Sequence, residues 1–306
     1  VTVRRKEQMT RAKFDDVMRS FEYSLRAAGK SQHTINQYLG SPRAFLEWYG
    51  RDPLQAKRHD IEGWLAELSK RLAPATVAHL YSGLKAFYRW LLEEDEIAED
   101  PMAKVRKPKV PETEKDIVPA EVMARVLSEL DSTRQYREAA IISLLYDTGM
   151  RANELVGLRV DDIDWDEQVI LIRKTKNAEI RVVPFSNQTG LRLRRWLRKR
   201  PHQDAEHLFT AQRGPAAGRP LTTSGLRQIV QSVFEGKTRG SITPHDLRHT
   251  FATHFLEDET ARPEDLMTIA GWKSDAMLRR YTRSRKQARA IAAHRRLSPV
   301  ARLNQK

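Results

Sequence analysis

Residues Thr243-Pro244-His245-Asp246-Leu247-Arg248-His249 gather side chains able to handle a phosphate. Thr243 is a good helix N-cap. Pro244 suits the first helical position, where an N–H would have no helical partner anyway, and Asp246 stands where a capping-box acid reaches back to the cap. His245 and Arg248 are three apart and share one helix face. An imidazole and a guanidinium then lie near backbone N–H groups that already favour an anion. Two other readings compete. His245 and His249, four apart around an acid, resemble the H-E-x-x-H zinc helix. Here, however, the acid is Asp, one methylene short of the usual base, Arg248 would add positive charge beside a cation, and no third ligand is signalled. The plainest reading is a capped helix with ordinary surface histidines, and H-x-x-R alone does not displace it.

Further motifs shift the balance. Thr148-Gly149-Met150-Arg151-Ala152-Asn153-Glu154-Leu155 lies upstream. Lys176 follows at a turn ahead of Arg181-Val182-Val183-Pro184. Downstream, Leu266 to Tyr281 carries Gly271-Trp272, with the tyrosine nine residues after Trp272. In this order and spacing the chain resembles the tyrosine recombinase family, which includes phage integrases and Xer recombinases, in its simple two-domain, Xer-like length. The resemblance spans nearly the whole chain. It implies a catalytic set of Arg151, Lys176, His245, Arg248, Trp272 and the nucleophile Tyr281, with Glu154 in support. Lys174 is a rival for Lys176; counting back from Pro184 and the family spacing favour Lys176 and leave Lys174 as a DNA-facing charge. Many family members have a histidine where Trp272 stands. Tryptophan keeps an N–H donor and apolar bulk but cannot serve as acid or base.

A DNA phosphodiester is anionic and its alkoxide leaves poorly. Arg151 and Arg248 can offer paired donors to the non-bridging oxygens. Tyr281, a phenol with a pKa near about 10, needs a proton acceptor, for which His245 is the candidate, and Lys176 is the candidate acid for the leaving 5′-oxygen. The resemblance further implies a 3′-phosphotyrosine, a Holliday-junction intermediate and a homotetramer on two double-stranded DNA sites. An accessory DNA-bending or directionality protein is a possible partner. There is no P-loop and no acidic cluster for two metals, so neither cofactor nor metal is expected. Trp272 and the basic C-terminal stretch favour an integrase over an Xer-type resolvase of chromosome or plasmid dimers. A DNA-binding protein without catalysis and a topoisomerase-like nicking-closing enzyme are the readings from other classes.

These residues need elements to hold them. Phe14, Val17, Met18, Phe21 and Leu25 recur at helical spacing, and Gly29 stops the run. Further helices are expected over about Ser31 to Trp48, Asp60 to Leu72 and from Pro74, a four-helix unit. Glu99 to Glu114 holds three prolines among Lys104, Arg106, Lys107 and Lys109 and reads as an extended basic linker. Beyond it, helices are expected over Val122–Leu130 and Glu138–Asp147, the latter closed by Gly149. A hairpin of Val169–Ile172 and Ile180–Val183 follows, then a basic helix from Leu191 to Arg200 and helices near Thr223, Pro244, Pro263 and Asp275. The fold class is thus mainly α with a small antiparallel β-sheet. The expected domains are a helical, SAM-like core-binding domain (9–97), a linker (98–115), a catalytic domain (116–297) and a tail (298–306). By analogy the two domains clamp a duplex with the linker crossing between them, which makes Arg43, Lys85, Lys104 and Arg106 candidate DNA contacts beside Lys174.

Composition agrees with a polyanionic partner. The 306 residues carry a formal net charge of +14, and the isoelectric point is near 10.0. With no cysteine, disulfides and Cys-based zinc sites are excluded. No apolar run is long enough to span a membrane and the first residues lack a secretory pattern, so a cytoplasmic, nucleoid-associated protein is expected.

Overall fold

The apolar spacing from Phe14 to Leu25 is met by one long helix in the computed structural model, α1 (Thr2–Ala27). The structure describes residues 2–111, 117–173, 180–258, 260–272 and 294, with side chains from residue 12. Helix α1 begins ahead of the expected Met9. At its end Gly29 takes φ 65° and Lys30 N–H bonds the Leu25 carbonyl, a left-handed cap that a Cβ would strain. The Ser31 hydroxyl accepts from Thr34 N–H to start α2 (Gln32–Tyr49); α3 (Arg58–Ser69) and α4 (Pro74–Glu93) complete the four helices.

The core of this unit is aromatic. Phe21, Phe45, Trp64, Phe87 and Tyr88 are almost wholly buried. Each such ring contributes roughly 1.5–3 kcal/mol by leaving water. Helices α2 and α4 touch where Gly83 meets Ser41; a Cβ on Gly83 would lie 2.2 Å from the Ser41 hydroxyl oxygen. Glu99–Glu114 is expected to be an extended basic linker, and its first part is fastened to this unit. Met102 and Val105 are buried in the helical core, and Tyr81 Oη donates to the Val105 carbonyl at 2.8 Å. The chain divides into two compact units, Val1–Thr113 and Glu114–Lys306.

The second unit is built around α6 (Tyr136–Thr148), whose residues Ala139 to Leu145 are buried on every face. Helices α5 (Ala120–Ser132), α8 (Asn187–Lys199), α9 (Thr223–Phe234) and α10 (Pro244–Phe255) pack against it. A three-stranded antiparallel sheet runs β1 (Ile163–Asp164), β2 (Val169–Ile172), β3 (Arg181–Pro184). Pairing Ile170 with Val183 and Ile172 with Arg181 turns Ile170, Ile172 and Val183 into the core. The hairpin was expected; β1 was not. Helices α7 (Ala152–Val156) and α11 (Pro263–Ala270) are short and lie at the site. The helix expected near Asp275 lies outside the described residues. The fold is therefore mainly α with one small antiparallel sheet.

Candidate active site

Three segments far apart in sequence meet in the second unit. The first is the α6–α7 turn. Gly149 caps α6 at φ 57°, and a Cβ there would come within 2.2 Å of the Phe251 ring. That close approach brings α10 against the turn. Arg151 then opens α7, its backbone N–H bonding Glu154 Oε2 at 2.7 Å and its Nη1 bonding Oε1 at 2.9 Å. Glu154 is buried, while 45% of the Arg151 side chain is exposed.

The second segment is α10. Thr243 and Asp246 form the expected capping box, Thr243 N–H donating to Asp246 Oδ2 at 3.0 Å and Asp246 N–H to Thr243 Oγ1 at 3.4 Å. The acid between the two histidines is thus engaged in the cap. His245 is exposed at the helix start; its Nε2 lies 3.0 Å from Nε2 of buried His249, so one ring must donate to the other. Arg248 is 4% exposed and its Nη1 donates to the Gly149 carbonyl.

The third segment is the end of α11. Gly271 adopts φ 64°, and Trp272 N–H returns to the Met267 carbonyl at 2.9 Å, a Schellman-type stop. The carbonyls left at a helix C-terminus carry partial negative charge and favour cations. Both arginines use them: Arg248 Nη2 donates to Ala270 O at 2.7 Å and Arg151 Nη2 to Gly271 O at 2.8 Å. Trp272 is buried, with the Arg248 guanidinium 5.4 Å from its ring centroid.

The structure therefore brings Arg151, Glu154, Arg248 and Trp272 together, with His245 one turn before Arg248. Lys174, Lys176 and Tyr281 lie outside the described residues. Arg181 is a member of the cluster that the sequence reading passed over. Its Nη2 and Nη1 donate to Glu154 Oε2 and Oε1 at 2.7 and 3.3 Å. Burial lowers its pKa, Glu154 raises it, and Arg151 lowers it further. Strand parity held the signal, since Arg181 shares a face with buried Val183. The guanidiniums of Arg151 and Arg181 thus both bond Glu154, and that of Arg248 shares the α11 end with Arg151, a cationic site suited to an anion.

In the first unit Arg43, Lys85, Lys104 and Arg106 are exposed. Lys85 Nζ lies 5.9 Å from the Tyr81 ring centroid, and the Tyr81 hydroxyl holds the Val105 carbonyl between Lys104 and Arg106 in sequence. Among the described residues no group of histidines and acids is placed to hold a metal, and no helix is long and apolar enough to cross a membrane.

The sequence profile of the phage integrase family matches residues 117–288, and that of the phage integrase N-terminal SAM-like domain matches residues 17–97. The chain belongs to the phage integrase family of tyrosine recombinases. Among relatives of this integrase-family chain, tyrosine recombinase XerA of Thermococcus kodakarensis is 32% identical over 245 residues, 80% of this chain and 82% of the relative. Tyrosine recombinase XerC of Staphylococcus carnosus is 30% identical over 286 residues, 90% of this chain and 95% of that one. The fold matches the XerH site-specific recombinase bound to a palindromic difH substrate (TM-score 0.70, 22% identity, 88% of this chain and 81% of that one). It also matches a lambda integrase dimer bound to a core site (TM-score 0.71, 17% identity, 86% and 96%).

Proposed function

We propose that this chain is a site-specific DNA recombinase that breaks and rejoins double-stranded DNA through a 3′-phosphotyrosine on Tyr281. The observation that carries the reading is the convergence of Arg151 and Arg248 on the adjacent carbonyls of Gly271 and Ala270, next to the α10 start that carries His245. In this reading the charges of the two guanidiniums neutralise the non-bridging oxygens. Loss of one such donor commonly costs about 100-fold or more in rate. Tyr281 Oη attacks phosphorus as His245 accepts its proton, and the 5′-oxygen departs with a proton from Lys176. Trp272 packs the arginine layer and takes no proton. Ligation is the reverse step, with the 5′-hydroxyl of another strand displacing the tyrosine, so bond energy is kept and no nucleotide is needed.

Relatives of this fold bound to DNA support duplex DNA as the substrate. The proposal further takes the acting form as a homotetramer on two sites, with a Holliday junction between the two rounds of exchange. Arg43, Lys85, Lys104 and Arg106, and Lys174 near the hairpin, are the proposed backbone contacts. Integration is the proposed role, on the grounds of Trp272 and the basic C-terminal stretch of the sequence. Xer-type resolution of DNA dimers is the second reading, favoured by Xer relatives at 30–33% identity. The test of the class is exchange between two duplexes carrying the sequence that the protein selects from a random duplex pool. Recombinant duplexes support the proposal; relaxation of supercoils at any sequence, without exchange, would replace it with a topoisomerase.

A further inference from the structure

Arg181 sits where a strand residue is expected to be apolar. It is paired with Ile172 in the register that buries Val183, yet it carries a charge into that face. Its side chain is only 12% exposed, and it meets a carboxylate that is 3% exposed. Buried ion pairs are weak sources of stability, since desolvation offsets most of their attraction. A valine would serve the core equally well, so packing alone does not account for a guanidinium here.

What Arg181 touches suggests a different role. It bonds both oxygens of Glu154, and the same two oxygens receive the backbone N–H and Nη1 of Arg151. On its other side it lies against Gly271, where a Cβ would stand 3.0 Å from its Cδ, Nε and Nη1. The Gly271 carbonyl is the second acceptor of Arg151. Arg181 thus braces both groups that fix the Arg151 side chain, the carboxylate on one side and the helix end on the other. It is also the first residue of β3, directly beyond the segment that holds Lys176.

We infer that Arg181 is a positioning residue for DNA cleavage, acting on the scissile phosphate through Glu154 and Arg151. The inference rests on the recombinase proposal above. Lysine is not an equivalent, because a point charge cannot bond both carboxylate oxygens in one plane. Without the brace, Arg151 keeps its charge and loses its fixed direction. Displacement of a catalytic group by about 1 Å can cost about 100-fold in rate.

The test uses the full-length chain and a nicked duplex carrying the selected sequence, with single-turnover formation of the covalent adduct measured at saturating protein. For Arg181→Gln we expect a cleavage rate lower by about 10- to 100-fold and an unchanged dissociation constant for the duplex. Arg181→Lys should lie between the two. In an Arg151→Ala background Arg181→Gln should change the rate by less than about twofold, because residues acting through one group are not additive. Multiplicative losses in the double variant would assign Arg181 a general structural role and overturn the inference. So would a wild-type rate in a folded Arg181→Gln protein. Absence of an adduct in every form, wild type included, would remove the recombinase proposal and this inference together.

Discussion

Gly149→Ala offers a quantitative check on the arginine layer. Gly149 has φ 57°, and an added Cβ would stand 2.2 and 2.7 Å from Phe251 Cδ1 and Cε1. Holding an L-residue in the left-handed region costs roughly 1–2 kcal/mol, and forcing a methyl into a packed ring adds roughly 1–3 kcal/mol. The sum is about 2–5 kcal/mol. Gly236 in the same unit supplies the control, since it has φ 70° and nothing within 4 Å of its Cβ position. Gly236→Ala should cost only the backbone share, about 1–2 kcal/mol. Urea unfolding of the two variants measures the difference. The Gly149 carbonyl is also an acceptor of Arg248, so Gly149→Ala should slow DNA cleavage, whereas Gly236→Ala should not. Equal stability losses in the two variants would refute the packing of α10 against the α6–α7 turn, and with it the argument for how Arg248 is placed.

Three more outcomes follow from the same reasoning. His245→Ala should slow cleavage by about 100- to 10,000-fold with DNA binding retained; an unchanged rate would remove His245 as the base. Tyr88 is buried, its hydroxyl donating to the Pro53 carbonyl at 2.8 Å, and desolvation raises its pKa. Below about pH 10 the phenol is neutral in both folded and unfolded chains. Above that pH only the unfolded chain ionises, so the first unit should lose stability as pH rises. Tyr88→Phe should flatten that alkaline loss, read by circular dichroism, and an unaltered pH profile would contradict the burial. Replacing Lys85 or Arg106 with alanine should each reduce the slope of log affinity against log salt by about 0.9, measured by anisotropy on a labelled duplex; an unchanged slope would take that residue off the phosphate backbone.

Most helices were legible because their apolar residues repeat at helical spacing and their ends carry Ser, Thr, Pro or Gly in the right places. The Thr243–Asp246 capping box and the left-handed Gly149 are cases where local chemistry decides local structure. Strand β1 escaped notice because two residues cannot show an alternation. Burial of Met102 and Val105 escaped for a similar reason, since the prolines and cations around them carry the compositional signal. Motif resemblance pointed to Arg151 and Arg248, but their shared use of the α11 carbonyls spans 120 and 22 residues and no local pattern encodes it. Arg181 lay midway: its inward parity was readable once the register was known, whereas its partner Glu154 was not. Tyr281 and Lys176 rest on the motif resemblance and the family to which the chain belongs.

The most direct test of the account is the covalent link itself. A nicked duplex with the selected sequence traps the cleaved strand on the protein because the short fragment diffuses away before it can religate. Wild-type protein should form an adduct that survives denaturation and carries its phosphate on Tyr281. Tyr281→Phe should bind the duplex equally well and form none. An adduct that persists in Tyr281→Phe, or one mapped to another residue, would contradict the central claim.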